Sequence, residues 1–163
     1  MKVLPTTLAL AVASVLAGAL VAPAGPAQSA PARGVAYAGQ TSQDLPVSFV
    51  LARDRRTIRR LDIEWYAEAG QCTSGVTYMS GTTFGARKTR ALRLSSRRTF
   101  RHTYVDALTV PGVARVEETP VVRGTVGRTR ASGAFRVTAV VTDATGAVIN
   151  RCDTGTLRWS AVE

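Results

Sequence analysis

Strict alternation of apolar and polar residues is the feature that most constrains how this chain can fold. It is clearest in the stretch Arg60–Glu68, where every second residue is apolar (Leu61, Ile63, Trp65 and Ala67). We find no helical stripe of useful length, in which apolar residues recur three and four positions apart. A sheet with one buried and one solvated face requires a period of two, so the chain is expected to form antiparallel strands on a core.

The same alternation recurs along most of the chain, with turn-forming residues between the apolar stretches. The further predicted strands are Val47–Leu51, Leu92–Leu94, Phe100–Tyr104, Phe135–Val141 and Leu157–Ala161. The predicted turns lie at Arg53-Asp54, Ser80-Gly81, Pro111-Gly112, Ser132-Gly133 and Asp143–Gly146. This spacing predicts an all-β fold, an antiparallel β-sandwich or flattened barrel of about nine to eleven short strands.

The first thirty residues have the order of a secretory signal peptide. Lys2 precedes the uncharged apolar run Leu8–Val21, and a Pro/Ala/Gly-rich stretch follows it. The run is shorter than a membrane-spanning helix needs, and no stop-transfer segment follows. We therefore predict a signal peptide over residues 1–30, cleavage between Ala24 and Ala32, and one secreted, unanchored domain over residues 31–163.

Cys72 and Cys152 are the only two cysteines. Export would place them in an oxidising compartment, where they are expected to form a disulfide. The alternatives are two free thiols or a link between two chains. Closing a loop of this length would stabilise the fold by roughly 4.5 kcal/mol in the chain-entropy model.

The charge of the chain is strongly positive, with 21 Lys and Arg against 11 Asp and Glu, and nearly all the positive residues are arginines. The codon usage of a high-GC genome accounts for arginine in place of lysine, but it does not account for the excess of positive charge. Two arginine clusters flank predicted turns and would form a polyanion-binding patch if the turns lie at the same end of the fold. The candidate patch residues are Arg55, Arg56, Arg59, Arg60, Arg97, Arg98 and Arg101.

Three patterns invite a catalytic interpretation, and each is incomplete. Asp62 and Glu64 match the second and third acids of a laminarinase-type glycosidase strand, but Arg60 stands where the nucleophile is required. Asp153-Thr154-Gly155 spells the aspartic-protease triplet, but it does not follow an apolar strand as in those proteases, so a turn after Cys152 is expected instead. His102, the sole histidine, falls on an apolar strand face and is expected to be packed and hydrogen-bonded. We predict no catalytic residue, no metal and no cofactor.

Several short motifs resemble a group of small secreted all-β proteins of actinobacteria. They are Tyr37-Ala-Gly39-Gln-Thr41-Ser-Gln43, Pro46–Phe49, the central Cys72, Ala131–Phe135, and Cys152-Asp-Thr-Gly-Thr-Leu-Arg-Trp159. The resemblance covers most of the predicted mature chain. It implies a single all-β domain with paired cysteines, and because the group has no established activity it implies no function.

These observations together favour a monomeric, non-enzymatic module of the cell envelope. Its expected ligands are anionic envelope polymers or glycans. Nucleic acid is not an expected partner, because aromatic residues for base stacking make up only 6% of the chain. The alternative is a small secreted hydrolase, which would need Asp62, Glu64 or His102 to converge in a pocket.

Overall fold

The fold of the chain is given by a computed structural model that describes residues 34–85, 89–110 and 113–163. The predicted signal peptide, its cleavage sites and the predicted turn at Pro111-Gly112 lie outside these residues. Among the described residues there is no α-helix, and the one helical element is a short 3-10 turn at Ala69–Gln71.

Eleven β-strands make up 68% of the described chain. In order they are β1 (Gly34–Thr41), β2 (Pro46–Ala52), β3 (Thr57–Ala67), β4 (Tyr78–Gly85), β5 (Leu92–Arg93), β6 (Thr99–Thr103), β7 (Asp106–Val110), β8 (Val113–Val126), β9 (Arg130–Thr142), β10 (Val148–Asp153) and β11 (Leu157–Val162).

All eleven strands belong to one antiparallel sheet that curls into a half-barrel. Its main path runs β4-β3-β2-β1-β11-β9-β8-β6, while β10 pairs with β9, β5 with β3 and β7 with β8. The predicted antiparallel all-β class and number of strands are confirmed. Of the two predicted architectures, the flattened barrel is closer to the structure than the sandwich. The curl gives the sheet an inner face that surrounds the core and an outer face in contact with solvent.

The core follows the alternation in the sequence. Leu61, Ile63, Trp65 and Ala67 of β3 are at most 1% exposed. Burying an apolar side chain of this size contributes about 1.5–3 kcal/mol, so this face fixes the register of β3. The indole nitrogen of Trp65 donates to Thr82 Oγ1 at 2.9 Å, which satisfies the one polar atom that the ring takes into the core.

Side chains bridge the open side of the half-barrel, between β4 and β6 at the two ends of the main strand path. The Tyr78 hydroxyl donates to Oε1 of the buried Glu118 at 2.7 Å, and the Tyr104 hydroxyl donates to the Thr83 carbonyl at 2.8 Å. Burial raises the pKa of both phenols, for Tyr104 to about 12, so both remain protonated donors at neutral pH. The phenols therefore join the two sides of the opening.

A disulfide joins Cys72 to Cys152, as predicted. It ties the segment after the 3-10 turn to β10, and backbone bonding continues beside it, since Thr73 N donates to the Arg151 carbonyl at 2.9 Å. Both sulfur-bearing residues are buried. The bond restrains a loop of 80 residues and in the chain-entropy model stabilises the fold by roughly 4.5 kcal/mol.

Two of the predicted turns are wrong, because Ser80-Gly81 lies within β4 and Ser132-Gly133 lies within β9. Gly133 is needed for packing. A Cβ at this position would lie 2.7 Å from Cε2 of Trp159, and one at Gly124 would lie 2.4 Å from Cζ2 of the same ring. Glycine inside a strand can mark such a close approach as well as a turn. The predicted turns at Arg53-Asp54 and Asp143–Gly146 are confirmed.

Candidate functional site: a basic groove on the outer face

The two arginine clusters come together at one end of the half-barrel. The turn at 53–56 contacts the turn at 95–98, since Leu94 N donates to the Arg56 carbonyl at 2.8 Å. A third turn, 127–129, joins them, because Val126 N donates to the Arg98 carbonyl at 3.0 Å. We call these three turns the arginine end.

Arg98 serves the fold rather than a ligand. Its guanidinium donates from Nε to the Val126 carbonyl at 2.5 Å, from Nη1 to the Arg55 carbonyl at 3.3 Å and from Nη2 to the Gly127 carbonyl at 3.5 Å. Carbonyls at strand ends have no ladder partner, and a charged donor satisfies them with stronger bonds than a neutral one. Arg98 therefore joins the three turns of the arginine end.

The other predicted patch residues divide into paired and unpaired arginines. Arg60 is bound to Asp62 at 2.6 Å, and Arg55 lies 3.8 Å from Glu163. Arg56, Arg59 and Arg97 are exposed and have no ion pair within the described residues. Arg101 is not at the arginine end, because it lies on β6 with its side chain on the outer face. The seven residues therefore do not form one uniform patch.

A second basic feature crosses the outer face of the sheet. In the strand register Arg101 lies opposite Arg123, Arg123 lies opposite Ala134, and Ala134 lies opposite Arg158. Because neighbouring strands are about 4.8 Å apart, these residues form a row perpendicular to β6, β8, β9 and β11. The small Ala134 leaves an opening in the row between Arg123 and Arg158.

This row lines an open groove with a volume of about 1000 Å³, which we call the basic groove. A second row runs parallel to the arginine row and is two residues away from it on each strand. It consists of Thr99, Thr125, Ser132 and Ser160. Within the described residues, the hydroxyls of Thr125, Ser132 and Ser160 have no intramolecular hydrogen-bond partner. Asp44, whose carboxylate accepts from Gln40 Nε2 at 3.2 Å, lies at the β1 side of the groove.

The electrostatics of the basic groove are unfavourable in the protein alone. Arg101, Arg123 and Arg158 are exposed, and no ion pair to any of them occurs in the described chain. Like charges directly opposite each other on neighbouring strands destabilise a sheet by roughly 0.2–1 kcal/mol. An anion bound between Arg101 and Arg123 would remove this repulsion.

The aromatic residues beneath the basic groove belong to the core. Phe100 and Trp159 are 6% and 3% exposed, so they offer no stacking surface to a ligand. The indole nitrogen of Trp159 has no hydrogen-bond partner among the described residues. The groups that the groove offers to a ligand are therefore charged guanidiniums and hydroxyls.

The residues considered for catalysis do not converge. Asp62 and Glu64 lie on the outer face of β3, where Asp62 also accepts from Thr83 Oγ1 at 2.7 Å. His102 is half-buried on the inner face, its ring 6.0 Å from that of Phe84, and its Nε2 lacks a partner within the described chain. From the sequence His102 was expected to be hydrogen-bonded, and for its Nε2 this is not so among the described residues.

Asp153 is the last residue of β10 and precedes the turn to β11, in which Gly155 has a φ of +62°. Arg136 binds its carboxylate, and this hydrogen bond together with the Gly155 N–H lowers the pKa of Asp153. The triplet Asp153-Thr154-Gly155 is thus a hydrogen-bonded turn held to β9. No group of three or more His, Cys, Asp or Glu side chains in the described residues is arranged to hold a metal.

Sequence reasoning missed Arg123 and Arg158 because each is an isolated arginine, whereas the search was for local clusters. The available signal was their outward position on strands that alternate, but strand order was needed to place them beside Arg101. Within the described ranges, no helix has the length and apolar character to cross a membrane. No protein family, curated protein or solved structure matches the chain.

Proposed function

We propose that this protein is a secreted, non-enzymatic module that binds anionic polymers of the cell envelope in its basic groove. The observation that carries the proposal is a row of three outward arginines, Arg101, Arg123 and Arg158, that have no ion pair to any described residue and lie along an open groove. Arginine binds carboxylate, sulfate and phosphate in a bidentate manner, so the row matches a ligand that carries repeated negative charges.

Secretion and monomeric state are parts of this proposal. The signal-like N-terminal sequence supports export, and the disulfide is of the kind that persists in an oxidising compartment. Exposed arginines of the arginine end, such as Arg56 and Arg97, would add long-range attraction for a polyanion without fixing its position. Nucleic acid is not the proposed ligand, because the aromatic residues at the groove are buried.

The most direct test converts the arginine row into an internal salt bridge. Ala134 lies opposite both Arg123 and Arg158, so Ala134→Glu places a carboxylate between two guanidiniums. The matched control is Ala36→Glu, which changes the net charge equally at an exposed position of β1. Affinity for immobilised heparin and for a polyglycerol phosphate should fall at least about tenfold in Ala134→Glu and much less in Ala36→Glu.

Salt dependence adds a second measurement. Each arginine that neutralises a ligand charge steepens the fall of affinity with salt, so Ala134→Glu should give a shallower slope than Ala36→Glu. An equal loss in both variants would show that net charge alone attracts the polymer, and the groove would not be the site. Release of reducing ends from a polysaccharide would support the hydrolase alternative.

A further inference from the structure

We infer that the ligand of the basic groove is a linear acidic polysaccharide with carboxylate groups on its sugars, lying across the strands along the arginine row. This inference rests on the proposed function and adds the class and the direction of the polymer. It follows from the spacing of the arginines, from the parallel row of hydroxyls and from the small side chain of Ala134.

The spacing of the arginines matches the repeat of a sugar chain. Arg101 and Arg123 are on neighbouring strands, about 4.8 Å apart, whereas Arg123 and Arg158 are two strands apart, about 10 Å. One pyranose residue is about as long as one strand spacing, and a disaccharide is about as long as two. A uronate chain across the strands therefore stays in register with the sheet.

The gap at Ala134 fits the alternation of such a chain. In an extended uronate chain with a two-fold repeat, successive carboxylates point to opposite sides. A sugar above Ala134 can turn its carboxylate away from the sheet, while the sugars before and after it present theirs to Arg123 and Arg158. Arg101 lies beside Arg123 and can contribute a second guanidinium to the same carboxylate.

The hydroxyl row distinguishes a sugar polymer from a phosphate polymer. Thr125, Ser132 and Ser160 lie two residues along their strands from Arg123, Ala134 and Arg158, a distance of about 6.6 Å. Their hydroxyls have no intramolecular partner in the described residues and can both donate to and accept from ring hydroxyls. Inorganic polyphosphate has no hydroxyl along its chain to donate to this row, so its oxygens can only accept from these side chains, whereas a sugar chain can both donate and accept.

The length of the basic groove sets the length of the ligand that fills it. The row spans the three strand spacings between β6 and β11, about 14 Å in total. Affinity for oligogalacturonates of increasing length should therefore rise up to about three to four sugars and then level off. A methyl-esterified oligogalacturonate of the same length keeps its hydroxyls but loses its charges, and it should not bind.

The experiment compares oligogalacturonate with polyphosphate of matched total charge, by calorimetry on the wild-type protein and on the double variant Ser132→Ala, Ser160→Ala. Both serines are exposed, so the variant should fold normally, and thermal unfolding checks this. We expect the wild type to bind oligogalacturonate more tightly than polyphosphate. The double variant should bind oligogalacturonate about three- to tenfold more weakly, and its loss of affinity for polyphosphate should be smaller.

The outcomes separate this inference from the proposed function. If polyphosphate binds as tightly as oligogalacturonate and the serine variant weakens neither, or both alike, the acidic-sugar inference is overturned. In that case the proposed function still stands if Ala134→Glu abolishes polyphosphate binding. If the wild-type protein binds neither polymer, both proposals fail.

Discussion

The arginine end and the basic groove use the same side chain for opposite purposes. At the arginine end, Arg98 donates to three backbone carbonyls and Arg55 lies near Glu163, so positive charge is taken up by the fold. In the basic groove, Arg101, Arg123 and Arg158 have no ion pair within the described chain. The arginines of the arginine end are close together in the sequence, whereas those of the basic groove are brought together by strand pairing.

If the proposed function holds, the number of arginines in a region is a poor guide to binding. A guanidinium that is bound to carbonyls or to a carboxylate must lose those bonds before it can hold a ligand, whereas an unpaired one needs only to lose water. Two unpaired arginines placed opposite each other also lower stability. Such a local cost is expected at functional sites and not in parts that only maintain the fold.

The largest predicted effect is on stability at the arginine end. Arg98→Met keeps much of the aliphatic stem but leaves the carbonyls of Val126, Gly127 and Arg55 without their charged donor. We expect the free energy of unfolding to fall by about 2–4 kcal/mol, measured by urea denaturation. The control Arg97→Met removes an exposed, unpaired arginine from the same turn and should change stability by no more than about 0.5 kcal/mol.

Equal and small effects of these two substitutions would contradict the structural role of Arg98. The arginine end would then have to be regarded as a second ligand surface, similar in kind to the basic groove. Polymer binding by Arg98→Met should stay within about twofold of the wild type once folded protein is compared at equal concentration.

An intermediate effect is expected where an outer-face arginine does have a partner. Arg136 lies two residues from Ala134 on β9 and binds Asp153, which lowers the pKa of that carboxyl. A carboxyl whose folded pKa lies below its unfolded value stabilises the fold above about pH 4, and this contribution is lost as pH falls through the folded pKa. Both side chains are about half exposed and screened by solvent, so the contribution is small.

Asp153→Asn should therefore reduce stability at pH 7 and leave it nearly equal to that of the wild type at pH 2. The measurement is thermal unfolding across this pH range, with Glu64→Gln as a control that removes an exposed carboxylate without an ion pair in the described residues. A constant difference between Asp153→Asn and wild type at every pH would show that the ion pair does not cause the effect.

The sequence was sufficient for the fold class and insufficient for the site, for physical reasons. A period of two is a local property, and it correctly placed Leu61, Ile63 and Trp65 in the core. Two cysteines leave one intramolecular pairing, so the disulfide could also be predicted from the sequence. By contrast, Gly133 signals a turn locally. Its place within a strand is explained by distant residues, because a Cβ there would lie 2.0 Å from the Arg123 carbonyl oxygen and 2.7 Å from Cε2 of Trp159.

The candidate site was harder to predict from the sequence because it depends on which strands are neighbours in the sheet. Arg123 and Arg158 meet Arg101 only through the order β11-β9-β8-β6, which is determined by packing over the whole sheet. The seven predicted patch residues contain only one member of the basic groove, Arg101. Local clusters left open whether the two turns meet, and they did not indicate that Arg98 is used internally.

The smallest predicted effect concerns the basic groove, where Arg101 and Arg123 are expected to repel each other. In a double-mutant cycle with Arg101→Gln and Arg123→Gln, the coupling energy should be repulsive by about 0.2–1 kcal/mol at low salt. Because exposed charges are screened, the coupling should vanish near 1 M salt, and a saturating anionic oligosaccharide should make it favourable. A favourable coupling without ligand would mean that the guanidiniums already stabilise each other. Charge repulsion would then not destabilise the basic groove in the absence of an anion, even if the groove still bound the polymer.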